Sequence, residues 1–379
     1  MKYMGSKRLM LKNGLGDLLQ NEVYCCDRFI DLFCGGASVS WFAATELKKK
    51  VLSVDLQKYA TVLSGAIVNR DFPLLYNEIY EEWIQKAIKV RETYLSWDEA
   101  KYIDDNNYES EKWSKESKKL SKKYETSDDQ NLIMRCYGGY YFSPTQAITI
   151  DALINTIPSE SNKKNICLAS VIIAASRCAA SPGHTAQPFK STGNAGKYLH
   201  ESWSKNPIDI VSKSIKEISP KYALHAGKSI IADANEITKK LLPSDLVFID
   251  PPYSSVHYSR FYHVLETIAR GKAGVISGIG RYPPPEERPK SHYSMKSKSK
   301  SAIEMLFKSI SEKGSKCVVT FPKDNCSNGL SGDEVENYAS KYFNVEKRVI
   351  KSVFSTLGGN KVHRAPRQLS NELILVLKP

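Results

Sequence analysis

Asp250-Pro251-Pro252-Tyr253 follows the apolar run Leu246-Val247-Phe248-Ile249 and brings a carboxylate, two restricted peptides and an aromatic plate into four residues. The run reads as a buried strand, and consecutive prolines cannot continue a central ladder, so the chain leaves the sheet at Asp250. Ligands collect at such carboxyl ends of strands. Asp250 can accept an N–H from an exocyclic amino group, nearby backbone carbonyls can accept a second, and Tyr253 can stack on a ring. The chemistry on offer is a pocket for a flat heterocycle that carries an amino group. Taken alone, the four residues also fit an ordinary turn.

A second constellation stands near the start of the chain. Phe29-Ile30-Asp31-Leu32 reads as an apolar strand, Phe33-Cys34-Gly35-Gly36-Ala37 as a small-residue turn, and Ser38-Val39-Ser40 as the opening of a helix. Glycines let the backbone turn tightly against a ligand, and a helix start supplies unpaired N–H groups. The strand Lys50-Val51-Leu52-Ser53-Val54 then ends at Asp55, roughly 20 residues past the glycines, where a carboxylate in a nucleotide-binding fold reaches ribose hydroxyls. A lone acid after a strand is more often a helix cap, so the weight lies on the combination.

These residues carry a resemblance. The chain is similar to the Dam-like family of adenine-specific DNA methyltransferases, the class alpha group with a DPPY motif, which use S-adenosylmethionine. Four segments occur in the family's order. Lys2-Tyr3-Met4-Gly5-Ser6-Lys7 resembles the opening cofactor segment, which implies cofactor contacts from Tyr3, Met4, Gly5 and Lys7. Asp31 to Ser38 resembles the first cofactor motif; the resemblance places Asp31 near the methionine amino group and wraps Phe33, Cys34, Gly35 and Gly36 around the donor. Asp55 resembles the ribose-binding acid. Asp233-Ala234, after the strand-like Ser229-Ile230-Ile231-Ala232, resembles the segment beside the cofactor's adenine. Asp250, Pro251, Pro252 and Tyr253 then match the catalytic motif that grips the target adenine. The likeness covers roughly the first 60 residues and the region from about 225 onward. FCGGAS departs from a more regular glycine spacing, and the stretch from His257 to Glu266 is unlike the short linker of the best-known members.

The chemistry explains the residue types. An adenine amino group is a poor nucleophile because its lone pair is delocalised into the ring. If Asp250 and the Pro251 carbonyl accept its two hydrogens, the nitrogen becomes more tetrahedral and its lone pair can meet a sulfonium methyl; the gain is positional and electrostatic. A base inside a duplex must first be flipped out, at a cost of a few kcal/mol. No metal is expected.

The elements that position these groups are those of an α/β fold: a Rossmann-like methyltransferase core, expected over 1–69 and 221–379, with a mostly helical insertion over 70–220 as a target-recognition domain. The strand Lys316-Cys317-Val318-Val319-Thr320-Phe321 and a hairpin of Val345 to Val353 with Leu373 to Leu377 complete the sheet. Within the insertion, Gly138-Gly139-Tyr140-Tyr141-Phe142-Ser143-Pro144 is either an aromatic ledge at a site or core, and a helix is expected from Leu168 to Ala180. The mixed charges from Trp97 to Gln130 are more often a solvated face than a DNA contact. The 379 residues carry a net charge of +13, which suits a polyanion partner held by counterion release, although many basic proteins bind none. Candidate DNA contacts are Tyr258, Arg260, Lys296, Lys298, Arg364 and Arg367, with Gly280 to Ser301 read as a mobile basic loop and His257 and His263 as either nucleotide contacts or packing. Eight cysteines without a CxxC pair read as reduced core residues.

The expected function is site-specific transfer of a methyl group from S-adenosylmethionine to a flipped adenine N6 in double-stranded DNA, by a cytoplasmic monomer without a membrane span. A separately encoded restriction endonuclease is a possible companion, and a phage origin or a solitary role is equally open. RNA or protein amino-group methylation and an inactive DNA-binding module are the alternatives. Three retained carboxylates, Asp31, Asp55 and Asp250, weigh against decay, since each must be solvated or paired.

Overall fold

Seven strands form one sheet in the computed structural model, which describes residues 7–106, 109–355 and 367–379. They are β1 (Arg28–Asp31), β2 (Lys50–Asp55), β3 (Lys228–Ile231), β4 (Asp245–Ile249), β5 (Lys316–Pro322), β6 (Asn344–Ser355) and β7 (Arg367–Lys378). The sheet order is β3-β2-β1-β4-β5-β7-β6. The first five are parallel, and β7 runs antiparallel to both neighbours, so the expected hairpin forms. The tip residues Lys361, His363 and Arg364 lie outside the described residues.

Period-2 alternation sends Ile30, Leu32, Val247, Ile249, Val319 and Phe321 to one face, where they meet Ile303, Leu306, Phe307 and Ile310 of the helix Ser299–Ser311. Phe29 and Phe248 take the other face and stack with their rings 6.3 Å apart. Parallel strands buried on both faces are apolar throughout, which is why β4 reads as an uninterrupted run. The entry to the two central strands is pinned by a bidentate pair: Arg28 gives Nε and Nη2 to the two oxygens of fully buried Asp245, both at 2.7 Å. The chain moves from β1 outward to β2 and β3, then returns to the other side of β1 as β4. The boundary between β1 and β4 is therefore the topological switch point, where a crevice opens at the carboxyl ends.

The chain divides into two units. The sheet belongs to one, which runs to Phe72 and includes Lys221–Tyr258 and Pro289–Pro379; the other is helical and comprises Pro73–Pro220 and Ser259–Arg288. The second of these stretches was expected to stay with the core. It groups with the helical unit because the Phe261 carbonyl accepts from Thr185 N and Oγ1, Tyr137 Oη meets Thr267 Oγ1 at 2.8 Å, and Tyr262, Val264, Leu265 and Ile268 are buried.

In the helical unit the helix Pro144–Asn155 starts with a full capping box between Ser143 and Gln146 and a proline at its first turn. The apolar helix runs Ser161–Cys178, earlier at both ends than expected. Tyr141 and Phe142 are wholly buried, so the aromatic stretch after Gly138 is chiefly core, with only Tyr140 half-buried under the Arg281 guanidinium. His263 is core as well: it is 1% exposed, and burial pushes its imidazole down to about 3, so it stays neutral and holds no phosphate. No helix of the described residues is long and apolar enough to cross a membrane.

Candidate active site

Four carboxylates stand at or just past the carboxyl ends of four neighbouring strands: Asp233 after β3, Asp55 on β2, Asp31 on β1 and Asp250 after β4. Sheet order, not chain order, sets this row.

The turn after β1 is shaped by backbone. Leu32 N binds Phe248 O at 3.1 Å and Cys34 N binds Val54 O at 3.0 Å, so the chain bends across both neighbouring strands before Gly35 (φ 43°) and Ala37 (φ 63°) turn it into the helix Ser38–Thr45. Ala37 carries a steric cost for a left-handed conformation that glycine adopts freely. Asp55 fixes this turn: its Oδ2 accepts from Gly35 N at 3.0 Å and its Oδ1 from Gln57 N at 2.9 Å. Cys34 is buried, and burial raises its thiol well above the ordinary value. Half-buried Phe33 meets the edge of Tyr293 at 5.0 Å.

Asp31 is 1% exposed and only half satisfied. Its Oδ2 accepts from Ser40 Oγ at 2.6 Å, Ser53 Oγ donates to Ser40 at 2.9 Å, and Ser64 Oγ donates to Ser53 at 2.7 Å. This chain of hydroxyls ends on one oxygen, while Oδ1 is buried with no hydrogen-bond partner among the described residues. Desolvation raises the carboxyl to about 7, against the Ser40 hydrogen bond. Asp233 caps the short helix Ala234–Ile237 through Asn235 N at 2.9 Å, and Ala234 is buried behind it.

Asp250 is gripped on one side. Lys7 Nζ at 3.0 Å and Thr320 Oγ1 at 2.9 Å both address Oδ1, leaving Oδ2 without a hydrogen bond among the described residues. The Pro252 carbonyl is taken by Asn328 Nδ2 at 3.0 Å, whereas no described donor reaches the Pro251 carbonyl. Two acceptors, Asp250 Oδ2 and Pro251 O, are thus left open at one strand end. Lys7 is 4% exposed and also lies 3.5 Å from Glu372 on β7. Burial alone would lower its ammonium, but Asp250 and Glu372 outweigh that and raise it, so it stays charged. Burial pushes Asp250 up, and Glu372 adds to the rise while Lys7 opposes it. Tyr253 packs partly against the sheet core and hydrogen-bonds Tyr258, whose hydroxyl is pushed up by burial. Tyr258 therefore belongs to the DPPY cluster.

Of the remaining residues singled out in the sequence, Tyr3, Met4, Gly5 and Arg364 lie outside the described residues, as does the side chain of Arg367. Half-buried Gly36 sits in the turn after β1. Lys296 and Lys298 are exposed with no ion pair among the described residues, and Arg260 is exposed with its guanidinium over Tyr282 at 5.3 Å. His257 Nδ1 accepts from Ser291 N, a packing role. The basic stretch from 280 to 301 is held down rather than free, since Tyr282 binds Ala186 O and Tyr293 is 2% exposed. Sequence reasoning missed Thr320, Asn328 and Glu372. Thr320 and Glu372 each had a signal, a polar residue set in or beside an otherwise apolar terminal strand; Asn328 in its loop had none.

Residues 3–316 match the family of D12 class N6 adenine-specific DNA methyltransferases. The chain is 24% identical over 323 residues to the modification methylase StsI of Streptococcus sanguinis, a match that covers 82% of this chain and 42% of that protein. It is 26% identical over 279 residues to the type II methyltransferase M.FokI of Planomicrobium okeanokoites, covering 71% and 37%. Modification methylase LlaI of Lactococcus lactis subsp. lactis is 24% identical over 315 residues, covering 82% and 44%. The chain thus spans less than half the length of these relatives.

Proposed function

The chain belongs to the D12 class N6 adenine-specific DNA methyltransferase family, and on that premise we propose that it methylates adenine N6 in duplex DNA, with S-adenosylmethionine as the methyl donor. The observation that carries this reading is the pair of open acceptors at one strand end, Asp250 Oδ2 and Pro251 O. Two acceptors match the two hydrogens of one exocyclic amino group. With both hydrogens held, the nitrogen lone pair is freed from the ring and aimed, a positional and electrostatic gain. Lys7 and Thr320 fix the carboxylate through Oδ1, so it does not rotate away from the base. Tyr253 offers its ring as the stacking surface.

The residues present fit the donor. The unpartnered Oδ1 of Asp31 is a buried acceptor that an ammonium would satisfy. Asp55 ends β2 beside the turn it fixes, with Phe33, Gly35 and Gly36 alongside, which suits ribose hydroxyls. The site's surplus of carboxylates over its one ammonium favours a cationic ligand. When bound, the donor supplies a methyl group on a positively charged sulfur. The chain's own part is to bind, orient and exclude water. The names of the relatives support modification methylation within a restriction-modification system, with a separately encoded endonuclease, in the cytoplasm.

The test is to incubate the protein with S-adenosylmethionine and unmethylated genomic DNA, beside Asp250→Ala and an RNA pool, and to measure modified nucleosides by mass spectrometry. N6-methyladenine in DNA that vanishes in the variant is expected. A product only in RNA, or none, refutes the reading.

A further inference from the structure

In the helical unit, the stretch that begins directly after Tyr258 ends in a turn whose base and tip are built for opposite purposes. Ser277 and Tyr282 pair as an antiparallel bridge, with Ser277 N on Tyr282 O and Tyr282 N on Ser277 O, both at 2.9 Å. The base is held from four directions. Buried Tyr141 donates its hydroxyl to Gly280 O at 2.9 Å, Tyr282 donates to Ala186 O, and Arg281 reaches Cys136 O at 2.9 Å and Arg135 O at 3.1 Å. A Cβ on Gly280 would collide with the Tyr282 ring and the Ala186 carbonyl, so the backbone there is packed tight.

The tip carries Ile279, 80% exposed, between Gly278 (φ 70°) and Gly280, and the strand leading to it carries Val275, 84% exposed. A single exposed aliphatic residue is ordinary on a protein surface. Fixing one at the end of a rigid, glycine-flanked turn is not needed for folding, since the side chain buries nothing. Beside it, Arg260 and Arg288 place their guanidiniums 5.3 and 5.5 Å from the centre of the Tyr282 ring, and neither makes an ion pair with a described carboxylate. An apolar point flanked by uncompensated guanidiniums complements a nucleic-acid duplex, with a stack of flat apolar faces between two lines of phosphate.

We infer that the turn over 277–282 opens the duplex, with Ile279 entering the base stack as a wedge while Arg260 and Arg288 hold the flanking phosphates. The inference rests on the DNA-methylation reading above and adds to it the side chain that fills the space a flipped base leaves. Its position also explains the rigidity of the base: a wedge on a loose loop would fold aside instead of parting the stack.

The test uses the full chain and a duplex bearing the methylated sequence mapped on genomic DNA, together with the same duplex in which the target adenine faces an abasic site, so that little pairing remains to be broken. Single-turnover methylation by Ile279→Ala is expected to be at least roughly tenfold slower than wild type on the paired duplex and within about twofold of it on the abasic duplex, with unchanged melting temperature. A variant as fast as wild type on the paired duplex overturns the wedge, and so does an equal loss on both duplexes, which would mark a general docking or self-association contact. If the wild-type chain methylates neither duplex, the enzymatic reading itself fails and the wedge falls with it.

Discussion

Replacing Asp31 by Asn should make the ligand-free protein more stable at alkaline pH, the reverse of what removing a buried hydrogen-bonded group usually does. The carboxyl is 1% exposed, with one oxygen satisfied and the other without a described partner, and burial lifts it from the usual 3.8 to about 7. A carboxyl whose folded value lies above its unfolded one gives stability that is complete below the unfolded value and lost as pH rises through the folded value. Between pH 5 and 8.5 the wild type therefore loses the part of the window from 5 to about 7. At about 1.4 kcal/mol per pH unit that is on the order of 3 kcal/mol, an upper bound for a site that relaxes. An amide cannot ionise and escapes the loss. Thermal melts of both proteins at pH 5 and 8.5 should show the advantage of the Asp31→Asn variant growing between the two by up to roughly 6–12 °C. Saturating S-adenosylmethionine should close that gap at pH 8.5, because its ammonium pairs the wild-type carboxylate and gains less from an amide. Parallel pH dependence for the two proteins would refute the claim that Asp31 stands buried and half satisfied.

The same carboxyl makes cofactor binding pH-dependent: calorimetric affinity for S-adenosylmethionine should weaken as pH falls below about 7, since the ammonium then displaces a proton, and a flat profile from about pH 8 to 6 would count against it. Glu372→Gln removes a charge that raises Asp250, so the acid limb of the kcat/KM profile should move to lower pH, and a limb that stays or rises would disprove the coupling. Gly227→Ala should cost about 1–3 kcal/mol in chemical denaturation, because a Cβ there runs into the Val51 carbonyl on β2; a neutral result would contradict that packing.

Much of the framework was legible because it rests on local signals. Strand positions followed from apolar runs such as Leu246 to Ile249, and Asp55 and Asp250 were found because each ends such a run. What escaped the sequence depends on distance along the chain. Lys7 and Glu372 are 365 residues apart yet 3.5 Å from one another, and no local pattern tells a lysine near the start that its partners stand after β4 and on β7. Lys7 was assigned to cofactor contact by resemblance; in the structure its ammonium is placed against Asp250. His263 was misread for the complementary reason: a polar residue in a motif's neighbourhood suggests chemistry, whereas its buried ring between Tyr137, Tyr141 and Tyr282 is packing.

The arrangement around Lys7 bears on why Asp250 stays available. A lysine paired with a single buried carboxylate would hold it as a closed ion pair and lower its capacity to accept from a substrate. Glu372 divides the ammonium's attraction, and Thr320 joins Lys7 on Oδ1, so the strongest donors converge on one oxygen and leave the other facing an unfilled direction. Removing Lys7 leaves two buried like charges with no counterion, which costs several kcal/mol or forces one to take a proton. Lys7→Met should therefore abolish transfer while a Glu372→Gln background restores part of it, because the double variant retains one carboxylate and no repulsion. Equal inactivity of the single and double variants would show that the ammonium itself acts on the base.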